Sequence, residues 1–171
     1  MISFQHDILP LKNIIFRTAL RIVLNKDEAE DIVQDTLVKL WQTRETLGNV
    51  NSLEALAVTM ARNLALDRKG KMDHRVMSLE PEKHDFMDSA ATSPDSQLMA
   101  YEATTFVQDT INGLPEKQRT IIQLRDIEGK SYKEIAAVLN ITESDVKVTL
   151  FRARSTLKEK ILKKNNLTIL P

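Results

Sequence analysis

Few side chains in this sequence have the type and spacing that covalent chemistry needs. The three histidines, His6, His74 and His84, lie far apart, and there is no cysteine. Tyr101 or Tyr132 as a nucleophile would need arginine and histidine partners, and no such set is recognisable. With only four glycines there is also no glycine-rich phosphate loop. The sequence therefore predicts no catalysis, no metal and no cofactor, and its polar residues are expected to bind partners.

Residues 131 to 157 have the pattern of two helices joined by a tight turn. Ser131 and Glu134 form the S-x-x-E capping box that starts a helix. Asn140 tolerates the left-handed backbone of a turn, and Thr142 can cap the next helix. An inward stripe follows at spacings of four, three and four residues: Val146, Leu150, Ala153 and Leu157. This pattern predicts a helix-turn-helix.

The outward face of the second of these helices carries polar, basic and apolar side chains. It shows Lys147, Val148, Phe151 and Arg152, with Arg154 further along. In a major groove such residues can reach base edges and phosphates. The alternative is a plain helical hairpin with a solvated basic face. Phe151 between two cations favours the DNA-binding interpretation.

Three aspartates, Asp27, Asp31 and Asp35, recur every four residues on a second predicted helix. Like charges at this spacing cost a few tenths of a kcal/mol per pair, so helix propensity does not explain them. A cationic partner surface would explain these aspartates. The positive helix N-terminus is an alternative for Asp27, but Asp31 and Asp35 lie too far along. A metal site is a third alternative, and no histidine falls at ligand spacing.

A basic cluster follows at the end of the third predicted helix. Its members are Arg62, Asn63, Arg68, Lys69 and Lys71. Arginine and asparagine so placed can hydrogen-bond an unstacked base and its phosphates. The alternative is a basic helix C-terminus favoured by the helix dipole. Periodicity alone does not separate the two.

The helices that would position these residues are predicted from apolar stripes. The stripes of residues 1 to 70 are Leu11, Ile15, Thr18 and Ile22, then Val33, Leu37 and Leu40, then Leu53, Leu56, Met60 and Leu64. Asp27, with Glu30 as its partner, is expected to cap the second helix, and Ser52 the third. These residues predict a small helical bundle.

Helical periodicity stops between residues 71 and 96, where proline, serine and aspartate accumulate. It returns at Met99, Ala103, Phe106 and Thr110. We therefore predict an all-α protein with two small helical domains, residues 1–70 and 97–171, joined by a flexible acidic linker over residues 71–96. The C-terminal domain contains the helix-turn-helix.

Charge is distributed unevenly although the chain is neutral, with 24 basic and 24 acidic residues. Residues 71–110 carry 3 basic and 8 acidic side chains, whereas residues 111–171 carry 12 and 7. A phosphate backbone would attract the basic third and repel the acidic middle. No apolar run reaches the ~18 residues of a membrane span. The N-terminus also lacks a signal-peptide pattern, so we expect a cytoplasmic protein.

Three segments of the sequence resemble those of extracytoplasmic-function sigma factors in the sigma-70 family. The residues DEAEDIVQDTL at 27–37 and KLW at 39–41 resemble the family's polymerase-binding helix. The residues LPEKQR at 114–119, EGKSYKEIA at 128–136 and FRAR at 151–154 resemble its C-terminal domain. The match covers nearly the whole chain except the linker.

The resemblance implies an RNA polymerase sigma factor that binds core polymerase and directs initiation at promoters with −35 and −10 elements. The implied polymerase-binding residues are Asp31, Gln34, Asp35, Leu37 and Trp41, which would dock on the coiled coil of the β′ subunit. The β subunit is a further expected contact. The linker would thread the cationic RNA exit path. An anti-sigma factor is an expected partner, and a small-molecule substrate is not.

The resemblance also assigns residues to promoter DNA. Those implied at the flipped base and melted strand of the −10 element are Arg62 and Asn63, with Arg68, Lys69 and the loop of residues 48–52. Those implied at the bases of the −35 element are Lys147, Val148, Phe151 and Arg152. Its backbone would be held by Arg125, Tyr132, Thr142 and Arg154.

Three positions depart from the family's usual pattern. Residues 53–58, LEALAV, stand where an aromatic-rich segment is common, Asn140 replaces a commoner glycine, and Thr149 replaces a common arginine. A rival interpretation is a helix-turn-helix repressor or activator that acts without polymerase. The acidic stripe, with no apolar dimer seam, counts against it. A DNA-cleaving enzyme would need a nucleophile or metal set that the sequence does not offer.

Overall fold

The computed structural model describes residues 1–75 and 94–169, and every regular element within these ranges is helical. The α-helices are α1 (Lys12–Val23), α2 (Lys26–Gln42), α3 (Leu53–Arg75), α4 (Pro94–Asn112), α5 (Glu116–Ile122), α6 (Tyr132–Leu139) and α7 (Glu143–Ile169). Short π- or 3₁₀-helical turns cover Phe4–Ile8, Leu9–Leu11, Arg44–Asn49 and Gln123–Ile127. The prediction of an all-α fold is confirmed.

Helices α1, α2 and α3 pack against one another as an N-terminal bundle. The predicted inward residues of α1 and α2 are buried, among them Ile15, Ile22 and Leu40. The prediction for α3 is confirmed only in part: Leu53, Leu56, Met60 and Leu64 are partly buried and pack against the core, but its fully buried face is formed by Ala57, Val58, Ala61 and Ala65. Small side chains let α3 approach its neighbours closely, and the larger ones lie at the margins of the contact.

The start of α2 differs from the prediction. Asn25, not Asp27, is the cap, and its Oδ1 accepts a hydrogen bond from the Glu28 amide at 2.9 Å. The preceding helix ends at Leu24, which has a left-handed backbone with φ of 54°. Helix α3 starts as predicted, with Ser52 Oγ accepting from the Ala55 amide at 3.1 Å.

Helices α5, α6 and α7 form the core of a C-terminal unit around Ile121, Leu124, Ile135, Val146 and Leu150. Helix α4 packs on α7, and its buried residues, Thr110 and Ile111, lie near its C-terminal end. The stripe predicted for α4 is thus buried at Thr110 but 73% exposed at Met99. Between them, the Lys164 ammonium lies 4.0 Å from the centre of the Phe106 ring.

The helices that flank the predicted linker extend into it. Helix α3 continues to Arg75 and α4 begins at Pro94. Residues 76–93, the rest of the predicted linker, lie outside the described residues. The two units also touch directly, because α1 packs on α5 and α3 packs on α6.

Candidate functional site

The helix-turn-helix forms from local hydrogen bonds at the residues that its sequence pattern singles out. Ser131 Oγ accepts from the Glu134 amide at 3.1 Å, and the Glu134 carboxylate accepts from the Ser131 amide at 2.7 Å. The hydrogen bonds from Ser131 lower the pKa of Glu134. Asn140 has a φ of 53°, and Thr142 Oγ1 accepts from the Asp145 amide at 3.1 Å. The predicted capping box, turn and second cap are all confirmed.

Helix α7 turns its polar and basic face to solvent. Val146, Leu150 and Ala153 are buried, while Lys147, Val148, Phe151 and Arg152 are exposed. Phe151 is 73% exposed and Val148 is 48% exposed. An apolar side chain left in water on a basic helix face is suited to contact with the methyl group of a thymine.

A frame of cations and one aromatic ring surrounds this face. The Arg125 guanidinium lies 4.6 Å from the centre of the Tyr132 ring and donates to the Lys130 carbonyl at 2.7 Å. The Lys147 ammonium is 5.4 Å from the same ring. Arg154 forms a two-pronged pair with Asp126, which raises the pKa of Arg154. Arg125 and Tyr132 are therefore held beside α7, and Arg154 of α7 itself is oriented by Asp126.

Helix α2 exposes one continuous face that is acidic at its start and apolar at its end. The exposed residues are Asp31, Gln34, Asp35, Val38 and Trp41. Leu37, which the resemblance assigned to polymerase, is only 9% exposed and packs in the core. The buried stripe that its spacing with Val33 and Leu40 predicts is confirmed, so the structure does not place Leu37 on the exposed face with the other implied polymerase-binding residues. Val38 is 54% exposed and was missed, although its spacing of seven residues from Asp31 indicates the same face.

Trp41 is 38% exposed and is fixed by two neighbours. The Phe4 ring meets it edge-on with ring centres 5.7 Å apart. The Arg44 guanidinium lies 4.0 Å from the ring centre on its face. The N-terminal turn thus orients the apolar end of the α2 face.

The basic cluster of α3 is divided between different surroundings. Asn63 is exposed and Lys69 is half-buried. Arg62 lies 3.5 Å from the Glu116 carboxylate of α5. Arg68 binds the acidic side chains of α2, and its hydrogen bond to Glu28 raises the pKa of Arg68. The four members that the resemblance assigns to the −10 element therefore differ in exposure and partners and do not form one free basic surface.

A set of polar contacts joins the N-terminal bundle to the C-terminal unit. Arg17 pairs with Glu128, with an Nη2 to Oε2 distance of 2.9 Å, and Glu54 pairs with Lys130. Arg21 donates to Gln123 at 3.0 Å and to Asn112 at 3.1 Å. No local pattern in the sequence marks these contacts, because their partners lie 76 to 111 residues apart. The units are held together by hydrogen bonds and ion pairs as well as apolar packing.

Arg21 is a charged group buried against neutral amides. Burial lowers the pKa of Arg21 to about 10, and the neighbouring charge of Arg119 acts in the same direction. Arg21 is only 9% exposed, yet at neutral pH its guanidinium stays protonated. This contact between the units therefore has a desolvation cost that separation would relieve.

The described ranges contain no group of three or more histidine, cysteine, aspartate or glutamate residues arranged to hold a metal ion. Among the same residues, no helix is long and apolar enough to cross a membrane.

Two family descriptions match the chain. Sigma-70 region 2 matches residues 8–75, and Sigma-70, region 4 matches residues 107–157. The chain is similar to the ECF RNA polymerase sigma-E factor of Haemophilus influenzae, with 27% identity over 81% of this chain and 77% of that protein. It is also 27% identical to the ECF RNA polymerase sigma factor SigW of Bacillus subtilis, over 88% of this chain and 84% of that one.

Two solved structures share the fold. The sigma factor RpoE in complex with the anti-sigma factor NepR, from Bartonella quintana, has a TM-score of 0.73 and 25% identity. The alignment covers 91% of this chain and 94% of that one. CnrH in complex with the cytosolic domain of CnrY has a TM-score of 0.59 and 20% identity, covering 87% of this chain and 81% of that one.

Proposed function

The chain belongs to the sigma-70 family as an extracytoplasmic-function sigma factor, and we propose how its exposed faces divide the work of promoter-specific initiation. It is an RNA polymerase sigma factor whose partners are core polymerase and promoter DNA. In the proposed division, α2 docks on polymerase, α7 reads the −35 element and the end of α3 captures the −10 strand. The proposed domains are residues 1–70 and 97–171 with residues 71–96 as the linker, although α3 and α4 extend into both ends of that linker.

The acidic and apolar face of α2 is the observation that carries the docking proposal. Asp31, Gln34 and Asp35 present carboxylates and an amide, and Val38 and Trp41 extend the same face. The intervening residues Ile32, Val33, Thr36 and Leu37 are buried, so this face lies on the solvent side of α2, where Asp27, Glu30, Lys39 and Gln42 are exposed as well. Acidic groups with an apolar anchor fit a cationic helical surface such as the β′ coiled coil.

The exposed face of α7 supports the −35 assignment. Lys147, Val148, Phe151 and Arg152 would enter the major groove, while Arg125, Tyr132 and Arg154 hold the backbone beside it. Thr142, at the start of α7, adds a hydroxyl near a positive helix end, which suits a phosphate. The exposed Phe151 is the strongest support, because a plain surface helix gains nothing from it.

The end of α3 supports strand capture more weakly. Asn63 is exposed and can hydrogen-bond a flipped base, and Lys69 can neutralise a nearby phosphate. Arg62 first has to leave Glu116, and Arg68 has to leave the α2 carboxylates.

Engaging both promoter elements requires the two units to separate. The elements are about 25 base pairs apart, roughly 85 Å at 3.4 Å per base pair. In the structure α1 contacts α5 and α3 contacts α6. We therefore take the described arrangement as a closed form, in which Arg62 is engaged by the other unit.

Sigma factors are regulators that act through polymerase. We propose further that this chain catalyses no reaction of its own and that it acts in the cytoplasm. An anti-sigma factor is a proposed partner, since the structural neighbour RpoE was solved in complex with the anti-sigma factor NepR. A repressor or activator acting without polymerase is not favoured, because both sigma regions match in order along the chain.

Binding of purified core polymerase tests the docking face. We expect Asp31→Arg and Asp35→Arg to weaken binding at least tenfold, since each replaces attraction by repulsion in a cationic surface. Glu45→Arg is the matched control, because that carboxylate has 87% of its side chain exposed and lies outside α2. Equal affinities for all four proteins would remove α2 from the interface.

A further inference from the structure

The acidic side chains of α2 already hold a cation in the free protein. Arg68 Nη1 lies 2.9 Å from Glu28 Oε2, and its Nη2 lies 2.7 Å from Asp35 Oδ2. The Asp31 carboxylate is 3.6 Å from Nη1. One guanidinium on α3 is therefore shared by three carboxylates of α2.

The geometry matches what a planar guanidinium offers and an ammonium does not. Its two terminal nitrogens reach carboxylates seven residues apart on one helix, each at hydrogen-bond distance. The side chains of Glu28, Asp31 and Asp35 are 33%, 60% and 53% exposed. A partner cation can therefore approach the same oxygens from solvent, but Arg68 occupies two of the best hydrogen-bonding positions.

Charge favours an exchange at this position. Three carboxylates against one guanidinium leave a net negative surface, so a second cation is still attracted. The ion pairs of Arg68 are partly exposed, and such pairs are individually weak enough to be replaced.

We propose that Arg68 is an internal competitor of core polymerase for the α2 carboxylates, and that an arginine of polymerase displaces it on docking. This inference rests on the proposed docking of α2. Arg68 then lowers the affinity of the free protein for core and sets a threshold for joining polymerase. The partner cation is a guanidinium because the carboxylates are already arranged around one.

The test compares Arg68→Gln with Lys12→Gln in binding to core polymerase. Both changes remove one positive charge from the N-terminal bundle, but Arg68 is the one paired with the α2 carboxylates, whereas Lys12 is an exposed side chain of α1. We expect Arg68→Gln to bind core about two- to fivefold more tightly, the range of one exposed ion pair, with Lys12→Gln near wild type. Unchanged or weaker binding of Arg68→Gln would overturn the proposal, and weaker binding would mean that Arg68 organises the carboxylates for the partner.

Two further comparisons distinguish competition by Arg68 from a folding defect of the Arg68→Gln variant. Arg68→Lys keeps the charge but not the planar fork, so we expect a smaller tightening than with glutamine. Asp35→Asn should weaken core binding more in the Arg68→Gln background than in the wild-type background. In the wild-type background the same change also weakens the ion pair with Arg68, and this offsets part of the lost affinity. If Asp35→Asn weakened core binding by the same factor in both backgrounds, the proposal would be overturned. Absence of core binding by the wild-type protein would instead contradict the proposed function itself.

Discussion

Leu150 and Phe151 are neighbours on α7 with different roles, since Leu150 packs in the core and Phe151 faces solvent. Leu150 is 2% exposed, so Leu150→Ala should cost about 2–5 kcal/mol in the free energy of unfolding. Phe151 is 73% exposed, so Phe151→Ala should change that free energy by no more than about 0.5 kcal/mol. Its effect should appear in promoter choice, with about 1–3 kcal/mol less discrimination at one −35 base pair.

Denaturant unfolding and binding of holoenzyme to a set of −35 variants measure the two effects. Arg154→Ala is a useful contrast, since a backbone contact should weaken all sequences alike and flatten the salt dependence. If Phe151→Ala left the ranking of −35 variants unchanged, base reading would have to rest on Lys147, Val148 and Arg152.

Helix caps explain why the helix-turn-helix could be predicted from sequence. The bonds of Ser131 with Glu134 and of Thr142 with Asp145 join residues three apart, so the pattern is visible in the chain itself. The face of α3 could not be predicted in the same way. A stripe of leucines and methionine competed with a stripe of alanines, and helix packing selected the small residues. Local spacing identifies a helix, but its neighbours decide which face is buried.

Removing the carboxylate of the α6 capping box should destabilise the C-terminal unit in a pH-dependent way. Glu134→Ala removes the group that accepts from the Ser131 amide and should cost about 1 kcal/mol at neutral pH. The pKa of Glu134 is depressed in the folded protein, so its contribution is present above the ordinary value of 4.5 and is lost as pH falls through the folded value. The difference between wild type and variant should therefore shrink in acid. Thermal unfolding followed by circular dichroism at several pH values measures it, and a constant difference would contradict this account of the carboxylate.

The contacts between the two units were beyond sequence reasoning. Arg17 and Glu128 are 111 residues apart, and nothing in either neighbourhood marks the other. Sequence periodicity separates two helical regions but carries no information on whether they touch. In the structure the ion pair of Arg17 with Glu128 favours contact between the two units. The burial of the charged Arg21 opposes that contact because it costs desolvation free energy. Such a balance suits the closed and open forms that we propose for this interface.

Weakening that interface should shift the free protein toward an open form. Arg17→Gln removes the guanidinium facing Glu128, whose side chain is 8% exposed, and should disfavour closure by about 1 kcal/mol, roughly fivefold. The chain has no cysteine, so Glu45→Cys with Lys133→Cys gives one labelled pair for energy transfer. Transfer should be lower in Arg17→Gln than in the parent, and lower still on promoter-bound polymerase. A Lys12→Gln variant controls for charge, and equal transfer in all states would argue against a closed form.

Promoter-directed transcription with purified components decides whether this protein acts as a sigma factor. Core polymerase, which initiates poorly on its own, is combined with this protein and a library of promoter fragments, and the transcript start sites are sequenced. The account predicts new start sites downstream of shared −35 and −10 sequences, with the −35 preference altered by Phe151→Ala and the yield reduced by Asp35→Arg. If polymerase bound the protein but started no transcript at any defined sequence, or if the protein repressed transcription by binding duplex DNA alone, the claim would be contradicted.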